Sequence, residues 1–365
     1  MKESSKIKIE RTTARSYTVP TEGAESDGTL TWNSTTMVLV RAEGGGKTGL
    51  GYSYTDRSAA TLINNKLSPL LQGLPAMDLP RLWRAMVQDC RNLGDSALTM
   101  TAVSAVDAAL WDLKARILEV PLVTLLGAMR RSVPIYGSGG FTSYDLGRLT
   151  GQLAGWRDMG ITRMKLKIGR EPDRDPERLR AARQAVGEEA ELMVDANGGY
   201  TLKQALAMAE VLKDCGVTWF EEPVHHRDLT GLRILRGSVP AGIEISSGEY
   251  GFNLDYFSRL LDAEAVDVLQ ADATRCSPTV FIEAAALCRA RFLPFSSHTA
   301  PALHCHLCCS LASVRHMEYF HDHVRIEQLF FDGLPEVKGG EMHPHFDRPG
   351  MGLVLKEKDA EKFLD

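Results

Sequence analysis

The sequence predicts a parallel β/α barrel that is preceded by an α+β segment, and three observations carry this prediction. From Val133 onward, short apolar runs alternate with helical patterns, as in the βαβ units of a parallel sheet. The polar residues that follow successive runs, starting at Lys167, are spaced 28, 26, 28, 23 and 26 residues apart, which is close to one βα unit. A chain of 365 residues is also long enough for a barrel and an accessory domain.

The first part of the chain predicts the α+β segment. A strand pattern at 17–19 is followed by a hairpin, in which 35–40 and 48–52 flank a Gly-rich turn at 43–46. Apolar residues at three- and four-residue steps then predict a helix over 103–117 with one apolar stripe.

Eight strand candidates with helical segments between them make up the predicted barrel. A Gly- and Pro-rich tail follows the last strand, and it is expected to pack on the first domain because it is too short to fold alone. We therefore expect a capping domain at 1–130 that is completed by 325–365, and a barrel domain at 131–324. The strand candidates are 133–136, 164–168, 192–195, 217–221, 242–246, 266–269, 293–296 and 317–320.

Composition and charge narrow the class of protein. The formal net charge is −5 and no run of Lys and Arg is interleaved with aromatic residues, so nucleic acid is not an expected partner. No stretch approaches the roughly 18 apolar residues of a transmembrane helix, and residues 1–6 lead into no apolar signal segment. Seven cysteines, an odd number, favour reduced thiols. We expect a cytoplasmic protein without a membrane partner.

Two lysines share one side of the second strand candidate. The apolar residues of 164–168 have one parity and Lys165 and Lys167 have the other, so both ammonium groups are expected to point to the interior of the barrel mouth. Mutual repulsion and lost hydration would favour a neutral amine, which is the form of a general base. The alternative is an amphipathic edge strand with two solvated lysines.

Three acidic residues follow apolar runs on the next three strands. Asp195, Glu221 and Glu249 are expected to meet at the mouth of the barrel, where their charges would repel one another unless a cation neutralised them. Carboxylate oxygens are ligands that Mg²⁺ prefers. Any one of these acids alone is more typical of a solvated loop or a helix cap, but the three together favour a metal site.

A histidine and an aspartate follow two later strands. His298 and Asp272 are expected to be neighbours, because they end adjacent strand candidates. An aspartate that accepts a hydrogen bond from one imidazole nitrogen fixes the tautomer and raises the pKa of the ring, which makes the other nitrogen a proton carrier. A single histidine in this position would more often be structural.

Taken together, these segments resemble the enolase superfamily, in particular its mandelate racemase subgroup. The resemblance covers nearly the whole chain and implies a modified TIM barrel, (β/α)7β, with an α+β capping domain. The motifs that carry it are Lys165-Leu166-Lys167, Asp195-Ala196-Asn197, Phe220-Glu221-Glu222-Pro223, Ser247-Gly248-Glu249, Gln270-Ala271-Asp272 and Ser297-His298.

The resemblance also implies a role for each matching residue. Asp195, Glu221 and Glu249 match the Mg²⁺ ligands, with Glu221 rather than Glu222 as the ligand. Lys167 matches the base on one face of the substrate, with Lys165 as its electrostatic neighbour, and His298 with Asp272 matches the acid/base on the other face. Glu318 aligns with a residue that hydrogen-bonds the substrate carboxylate. Asn197 matches a polar neighbour of the metal and Lys167, and it is expected to contact the substrate.

Some features depart from the family's motifs or suggest a different kind of site. Ser277-Pro278 stands where many relatives have Gly-Gly, and His225 and His226 are candidates either for the pocket or for a solvated turn. The Cys- and His-rich run 304–309 has the spacing of a zinc site. We interpret it instead as a buried helix of the barrel, because small thiols pack well in a core.

The expected reaction is abstraction of the proton α to a carboxylate with Mg²⁺ as cofactor. We expect dehydration of an acid sugar to a 2-keto-3-deoxy acid, with His298 protonating the leaving hydroxyl, and we expect Tyr52 and Tyr54 to contact the substrate. Specificity is expected to come from 20–30 and 51–56. A racemase or epimerase needs the same residues and remains open, as does a non-catalytic sugar-acid-binding barrel; a metal-dependent hydrolase is disfavoured because the first strand lacks His-x-His. The expected partners are a small carboxylate substrate and further copies of the chain.

Overall fold

The computed structural model describes residues 7–95 and 97–365, so the predictions about residues 1–6 lie outside the described residues. The chain begins with a three-stranded antiparallel sheet of order β1-β2-β3. Its strands are β1 (Arg11–Ser26), β2 (Thr31–Gly44) and β3 (Lys47–Tyr54). The predicted hairpin is confirmed, since Gly44 pairs with Lys47 across the turn.

Helices of the cap follow the sheet. They are α1 (Ser58–Leu62), a π-helical turn (Ile63–Leu67), α2 (Ser68–Leu71), α3 (Leu79–Asp89), a 3₁₀ turn (Arg91–Leu93), α4 (Ala97–Ile117) and α5 (Leu122–Leu126).

Helix α4 lies between the cap sheet and the barrel. The prediction of a single apolar stripe is wrong, because almost every residue from Thr99 to Leu113 is buried. Two glycines of β3 allow this close packing: a Cβ at Gly51 would lie 2.2 Å from the Ala109 nitrogen, and one at Gly49 would lie 2.2 Å from the Ala109 oxygen. The helix is therefore the common core of both parts of the chain.

Eight parallel strands form a closed barrel. The sheet runs in sequence order from β4 to β11, and β11 pairs with β4, where Met317 lies opposite Ile135. The predicted class, a modified TIM barrel with an α+β cap, is confirmed. The strands are β4 (Val133–Gly139), β5 (Arg163–Lys167), β6 (Glu191–Asp195), β7 (Val217–Glu221), β8 (Glu244–Ser247), β9 (Val268–Ala271), β10 (Phe295–Ser297) and β11 (Val314–Phe320).

A helix follows each strand of the barrel and covers its outer face. Apolar residues such as Leu166, Val194 and Phe220 are buried against these helices, while Tyr136 and Trp219 fill the interior. The helices are α6 (Leu146–Asp158), α7 (Asp175–Val186), α8 (Leu202–Asp214), α9 (Leu229–Ser238), α10 (Leu254–Asp262), α11 (Ala273–Ala290), α12 (Pro301–Ser310) and α13 (His321–Phe330).

The tail after α13 contacts both the cap and the barrel. The hairpin of β13 (Glu336–Lys338) and β14 (Glu341–His343) pairs with β4, so it extends the barrel sheet. The remaining elements are β12 (Phe331–Asp332), which pairs with β15 (Val354–Leu355), then α14 (Glu357–Ala360) and a 3₁₀ turn (Glu361–Phe363). Leu364 forms a bridge with Tyr17 of β1.

Two further features concern the whole chain. In the described part of the chain, each helix is either too short or too polar to cross a membrane. All seven cysteines are free thiols, as predicted, and all seven are buried.

Candidate active site and metal centre

Three carboxylates meet at the C-terminal ends of neighbouring strands. Asp195 and Glu221 end β6 and β7 and lie opposite each other in the parallel register, and Glu249 follows β8. One oxygen from each side chain lies within 4.8 Å of the others, and all three residues are buried. Gly248 has φ +137° and lies so close to the Gln270 carbonyl that a Cβ would approach it to 2.1 Å, so glycine is what lets the chain turn Glu249 inward here.

The donor set fits a hard divalent cation. Glu221 Oε1 and Glu249 Oε2 are buried and make no hydrogen bond, although His298 Nε2 lies 3.3 Å from Glu249 Oε2. Burial, followed by repulsion from Asp195, raises the pKa of Glu221 to about 8. Because a cation would satisfy the two orphaned oxygens and remove this repulsion, the site suits Mg²⁺. Within residues 7–95 and 97–365 it is the one group of three acidic, His or Cys side chains placed to hold an ion.

Both lysines of β5 point into this centre. Lys165 Nζ lies 2.7 Å from Glu221 Oε2 and 2.9 Å from Glu318 Oε1, and Lys167 Nζ lies 2.5 Å from Asp195 Oδ2. Burial lowers the pKa of both ammonium groups, but Glu221 and Glu318 around Lys165 and Asp195 beside Lys167 outweigh it and raise both values above 10.5. The two effects predicted from the sequence, burial and repulsion by the other lysine, do lower the pKa of Lys167, but the carboxylate partner outweighs them in this arrangement.

His298 and Asp272 are neighbours, as predicted. His298 Nδ1 lies 2.9 Å from Asp272 Oδ2, and His298 Nε2 lies 3.3 Å from Glu249 Oε2. Burial lowers the pKa of the imidazole, but Glu249 and the hydrogen bond to Asp272 outweigh it, so the pKa of His298 is raised. Asp272 also accepts hydrogen bonds from Thr274 at the start of α11, which fixes the carboxylate.

Glu318 and Asn197 complete the predicted set at this end. Glu318 Oε2 accepts a hydrogen bond from the Thr299 backbone at 2.7 Å, while Glu318 Oε1 holds Lys165. The Asn197 backbone donates to Asp195 Oδ1 at 2.8 Å, and its side-chain oxygen has no partner.

The two predicted substrate tyrosines differ in position. Tyr54 lines the cleft, stacks on His323 with ring centroids 3.4 Å apart, and has a buried hydroxyl without a partner. Tyr52 does not line the cleft: it is fully buried, and its hydroxyl donates to Glu327 Oε1 at 2.6 Å. Tyr52 and Tyr54 are two residues apart on β3, so their side chains point to the same side of the strand. Only the Tyr54 ring reaches the cleft. The prediction for Tyr52 is therefore corrected, because it fills the cap–barrel boundary behind Tyr54.

Five of these site residues line one wall of a cleft of about 460 Å³ between barrel and cap, namely Lys167, Asn197, Glu249, Asp272 and His298. Sequence reasoning missed Arg275, which donates to the Glu249 backbone oxygen at 2.9 Å and lies over the Tyr250 ring at 4.9 Å. Arg275 lies three residues after Asp272, in the first turn of α11, so its position in the sequence could have indicated that it lies near the site. Sequence reasoning also missed Trp32 and His323, which reach the cleft from the cap sheet and from α13.

The competing motifs take structural positions. His226 stacks on Tyr250 with centroids 4.4 Å apart, so it supports the ring behind the cleft, and neither His225 nor His226 lines the cleft. The run 304–309 lies in α12 and is buried, and His304 Nε2 accepts the Ala273 backbone N–H at 2.8 Å. The interpretation of this run as a barrel helix is confirmed.

Both the cap and the barrel match known protein families. Residues 14–127 match the mandelate racemase / muconate lactonizing enzyme N-terminal domain, and residues 148–359 match the enolase C-terminal domain-like family. The 3,6-anhydro-alpha-L-galactonate cycloisomerase of Streptomyces coelicolor is 32% identical over 95% of this chain and 97% of its own. The L-talarate/galactarate dehydratase of Salmonella typhimurium is 31% identical over 85% of this chain and 78% of its own.

Solved structures show the same architecture. A mandelate racemase/muconate lactonizing enzyme-like protein from Rubrobacter xylanophilus is 50% identical and superposes with a TM-score of 0.96, covering 98% of this chain and 100% of its own. A racemase from Streptomyces coelicolor with bound magnesium is 29% identical, with a TM-score of 0.92 over 98% of this chain and 100% of its own.

Proposed function

The chain belongs to the mandelate racemase and muconate lactonizing enzyme family, and from this premise we propose that it dehydrates a sugar acid to a 2-keto-3-deoxy acid. The reaction removes the proton α to the carboxylate and expels the β-hydroxyl as water. Its relatives include a dehydratase and a cycloisomerase of sugar acids.

One observation carries the proposal: proton-transfer groups stand on two sides of the carboxylate centre. Asp195, Glu221 and Glu249 come from β6 to β8, while Lys167 comes from β5 and His298 follows β10. A substrate carboxylate held at the centre would place its α and β carbons between the amine and the imidazole. Abstraction of one proton and protonation of a leaving group need such a pair.

Asp195, Glu221 and Glu249 would hold a divalent cation, which would supply the positive charge that makes an α-proton of a carboxylate acidic. Lys167 takes the α-proton at Nζ, and His298 Nε2 gives a proton to the leaving β-hydroxyl. Asp272 keeps the His298 ring in one tautomer. Lys165 is held between Glu221 and Glu318 and adds a fixed positive charge beside the substrate carboxylate.

The protonation states set a condition on this mechanism. Lys167 is an ammonium group while it is paired with Asp195. If Asp195 binds the cation, less of its negative charge acts on Lys167, and this favours the neutral amine that a base requires. The neutral form of Lys167 is therefore expected in the state in which the cation is bound.

The test is incubation of the Mg²⁺-loaded protein with aldonic and aldaric acids in D₂O, with measurement of 2-keto product and α-deuterium exchange. Keto product is expected from at least one acid. Lys167→Ala and His298→Asn are expected to lower kcat by about a thousandfold, whereas Lys203→Ala, an exposed lysine of α8, is the control. Full turnover by either site variant would refute the mechanism, and exchange with inversion but no keto product would establish a racemase instead.

Two coarser proposals concern the protein in the cell. A homo-oligomer is supported by the family resemblance, and a cytoplasmic enzyme is supported by seven free, buried thiols. Light scattering on the purified protein and fractionation of the source cells test them.

A further inference from the structure

The cleft has a second wall, which the cap contributes and which faces the carboxylate centre. We call it the cap wall. The residues that form it belong to β2 and to the end of β3 with the residue after it, and they are neutral and polar or aromatic, namely Trp32, Ser34, Thr35, Thr36, Tyr54 and Thr55. Whatever extends from the reacting end of the substrate meets these side chains.

The cations of the cleft lie at the other end. Within the described residues, the lysine and arginine of the cleft lining are Lys167 and Arg275. Lys167 is paired with Asp195 at 2.5 Å, and Arg275 Nη1 lies 3.4 Å from Glu249 Oε1. Both side chains therefore lie at the catalytic end of the cleft, beside Asp195 and Glu249, and the residues of the cap wall include no lysine or arginine that could face a ligand.

His323 does not replace the missing cation. It is buried beneath Tyr54, and burial lowers its pKa well below 6.5. Its Nδ1 accepts the Ala300 backbone N–H at 3.2 Å, so the proton of the neutral ring is on Nε2. The ring is a neutral donor.

The lining beside the cap wall carries negative charge instead. Asp27 and Asp56 both line the cleft. The Asp27 carboxylate accepts the Thr29 and Leu30 backbone N–H groups at 2.7 Å, and the Asp56 carboxylate accepts that of Ser58 at 2.8 Å. Hydrogen bonds from Ser58 lower the pKa of Asp56, so this group is ionised near neutral pH. These charges repel an anion that approaches the cap wall.

A hydroxylated tail would find partners on the cap wall. The Tyr54 hydroxyl is buried and makes no hydrogen bond within the protein, although a buried polar group normally has a partner. The Trp32 and Phe320 rings add apolar surface for the C–H groups of a sugar chain.

We propose that the substrate is a monocarboxylic polyhydroxy acid, an aldonate rather than an aldarate, whose neutral tail lies on the cap wall. This inference rests on the proposed function and narrows its substrate class. A second carboxylate would be desolvated at the cap wall without a cation and beside two aspartates, which is strongly unfavourable. A terminal hydroxyl would instead complete the hydrogen bonding of Tyr54.

The experiment compares matched pairs of acids that differ only in oxidation of the terminal carbon, such as gluconate with glucarate and galactonate with galactarate. kcat/KM for 2-keto product is measured with the Mg²⁺-loaded protein, and binding of each acid is measured by calorimetry. We expect at least a hundredfold preference for the aldonate in kcat/KM and tighter binding of the aldonate in each pair that binds. An aldarate that is bound and turned over as well as its aldonate overturns the inference.

A variant tests the placement of the tail. Ser34→Lys adds a cation to the cap wall and is expected to shift the aldarate-to-aldonate ratio of kcat/KM at least tenfold toward the aldarate. Ser34→Gln, which is neutral, is the matched control and is expected to leave the ratio within about twofold. Equal ratios for the two variants would contradict the placement.

The two proposals fail in different ways. If no acid of either class loses its α-proton, the proposed function fails, while calorimetry still tests the preference for one carboxylate. If aldarates are dehydrated with the higher kcat/KM, the function stands and the present inference falls.

Discussion

Asp272 fixes the imidazole of His298 through one hydrogen bond of 2.9 Å. Asp272→Asn would remove the charge and present an amide that allows the other tautomer, so kcat is expected to fall about a hundredfold or more with a small change in KM. Steady-state kinetics at several pH values measure this.

The control for this prediction is another buried aspartate. Asp112 accepts backbone N–H groups of Leu50 and Met351 and pairs with Arg116, away from the cleft. Asp112→Asn is expected to lower Tm but leave kcat per folded molecule unchanged. An equal loss of kcat in both variants would indicate a purely structural role for Asp272.

Tyr52 and Tyr54 provide a second contrast between neighbouring residues. Tyr54→Phe removes a hydroxyl without a protein partner, so KM is expected to rise about tenfold while Tm stays the same. Tyr52→Phe leaves Glu327 without its donor and is expected to cost about 1–3 kcal/mol of unfolding free energy with little change in KM. Kinetics and urea unfolding of both variants separate the two roles, and the reverse pattern would contradict them.

Single residues show what the sequence could predict about the site. Asp195, Glu221 and Glu249 were predictable as neighbours, since each follows an apolar strand and parallel strands end at one mouth. The raised pKa of Lys167 was not, because it depends on the 2.5 Å approach of Asp195, which the spacing alone does not reveal.

At the scale of elements, α11 contains a break at Ser277, which has φ 77° and ψ 152°. This backbone conformation is almost confined to glycine and costs other residues about 1–3 kcal/mol. Ser277→Gly is therefore expected to raise the unfolding free energy by about 1 kcal/mol, as measured by urea denaturation. In the sequence, Ser277-Pro278 stands where many relatives have Gly-Gly. The positive φ of Ser277 explains why glycine suits this position.

The control for Ser277→Gly is a serine with ordinary helical geometry. Ser258 lies inside α10, where glycine is expected to lower stability by about 0.5–1 kcal/mol. A loss of stability in both variants would mean that the Ser277 side chain contributes more than its backbone costs.

Glu327 of α13 joins three elements at the cap–barrel boundary. It accepts hydrogen bonds from Tyr52 of β3 at 2.6 Å and from the Ala302 backbone of α12 at 3.0 Å. Burial raises its pKa to about 8 from 4.5. The folded state keeps the proton between these values and the unfolded state does not, so its contribution to stability falls by up to about 1.4 kcal/mol per pH unit as pH rises from 4.5 to 8.

Urea unfolding from pH 5 to pH 8 measures this slope. Glu327→Gln cannot titrate and is expected to show a flatter dependence than the wild type, whereas the exposed Glu336→Gln keeps the wild-type slope. Identical slopes for Glu327→Gln and the wild type would show that Glu327 is ionised throughout.

Element boundaries were less predictable than element types. The predicted strands at 242–246, 266–269 and 293–296 begin about two residues before β8, β9 and β10, because apolar residues such as Val266 and Leu293 pack before the ladder of hydrogen bonds begins. The stripe predicted for α4 also failed, since a helix between two layers is buried on several sides.

At the scale of the whole molecule, the three carboxylates of the site come from three adjacent strands of the barrel. A cation that binds all three would therefore hold these strands together. Mg²⁺ is expected to raise Tm by several degrees, because a ligand that binds only the folded state adds about 2.7 kcal/mol at one hundred times its Kd. EDTA should reverse the rise, as followed by thermal unfolding.

Two acidic variants test whether the three carboxylates bind the cation that raises Tm. Glu221→Gln is expected to lose most of the Mg²⁺-dependent rise, and Asp262→Asn, which alters a surface pair with Arg291, is expected to keep it. The same rise in both variants would place the cation elsewhere.

The cap covers the cleft by a close approach of backbones. A Cβ at Gly28 would lie 2.0 Å from the carbonyl oxygen of Ala196, directly after Asp195, and Thr29 Oγ1 lies 3.3 Å from the Asn197 oxygen. A motion of this turn would therefore widen or narrow the rim of the cleft, which Asp27 and Leu30 line on either side of Gly28 and Thr29. We therefore expect turnover to include a gating motion, whose rate would be sensitive to solvent viscosity even when proton transfer is fast.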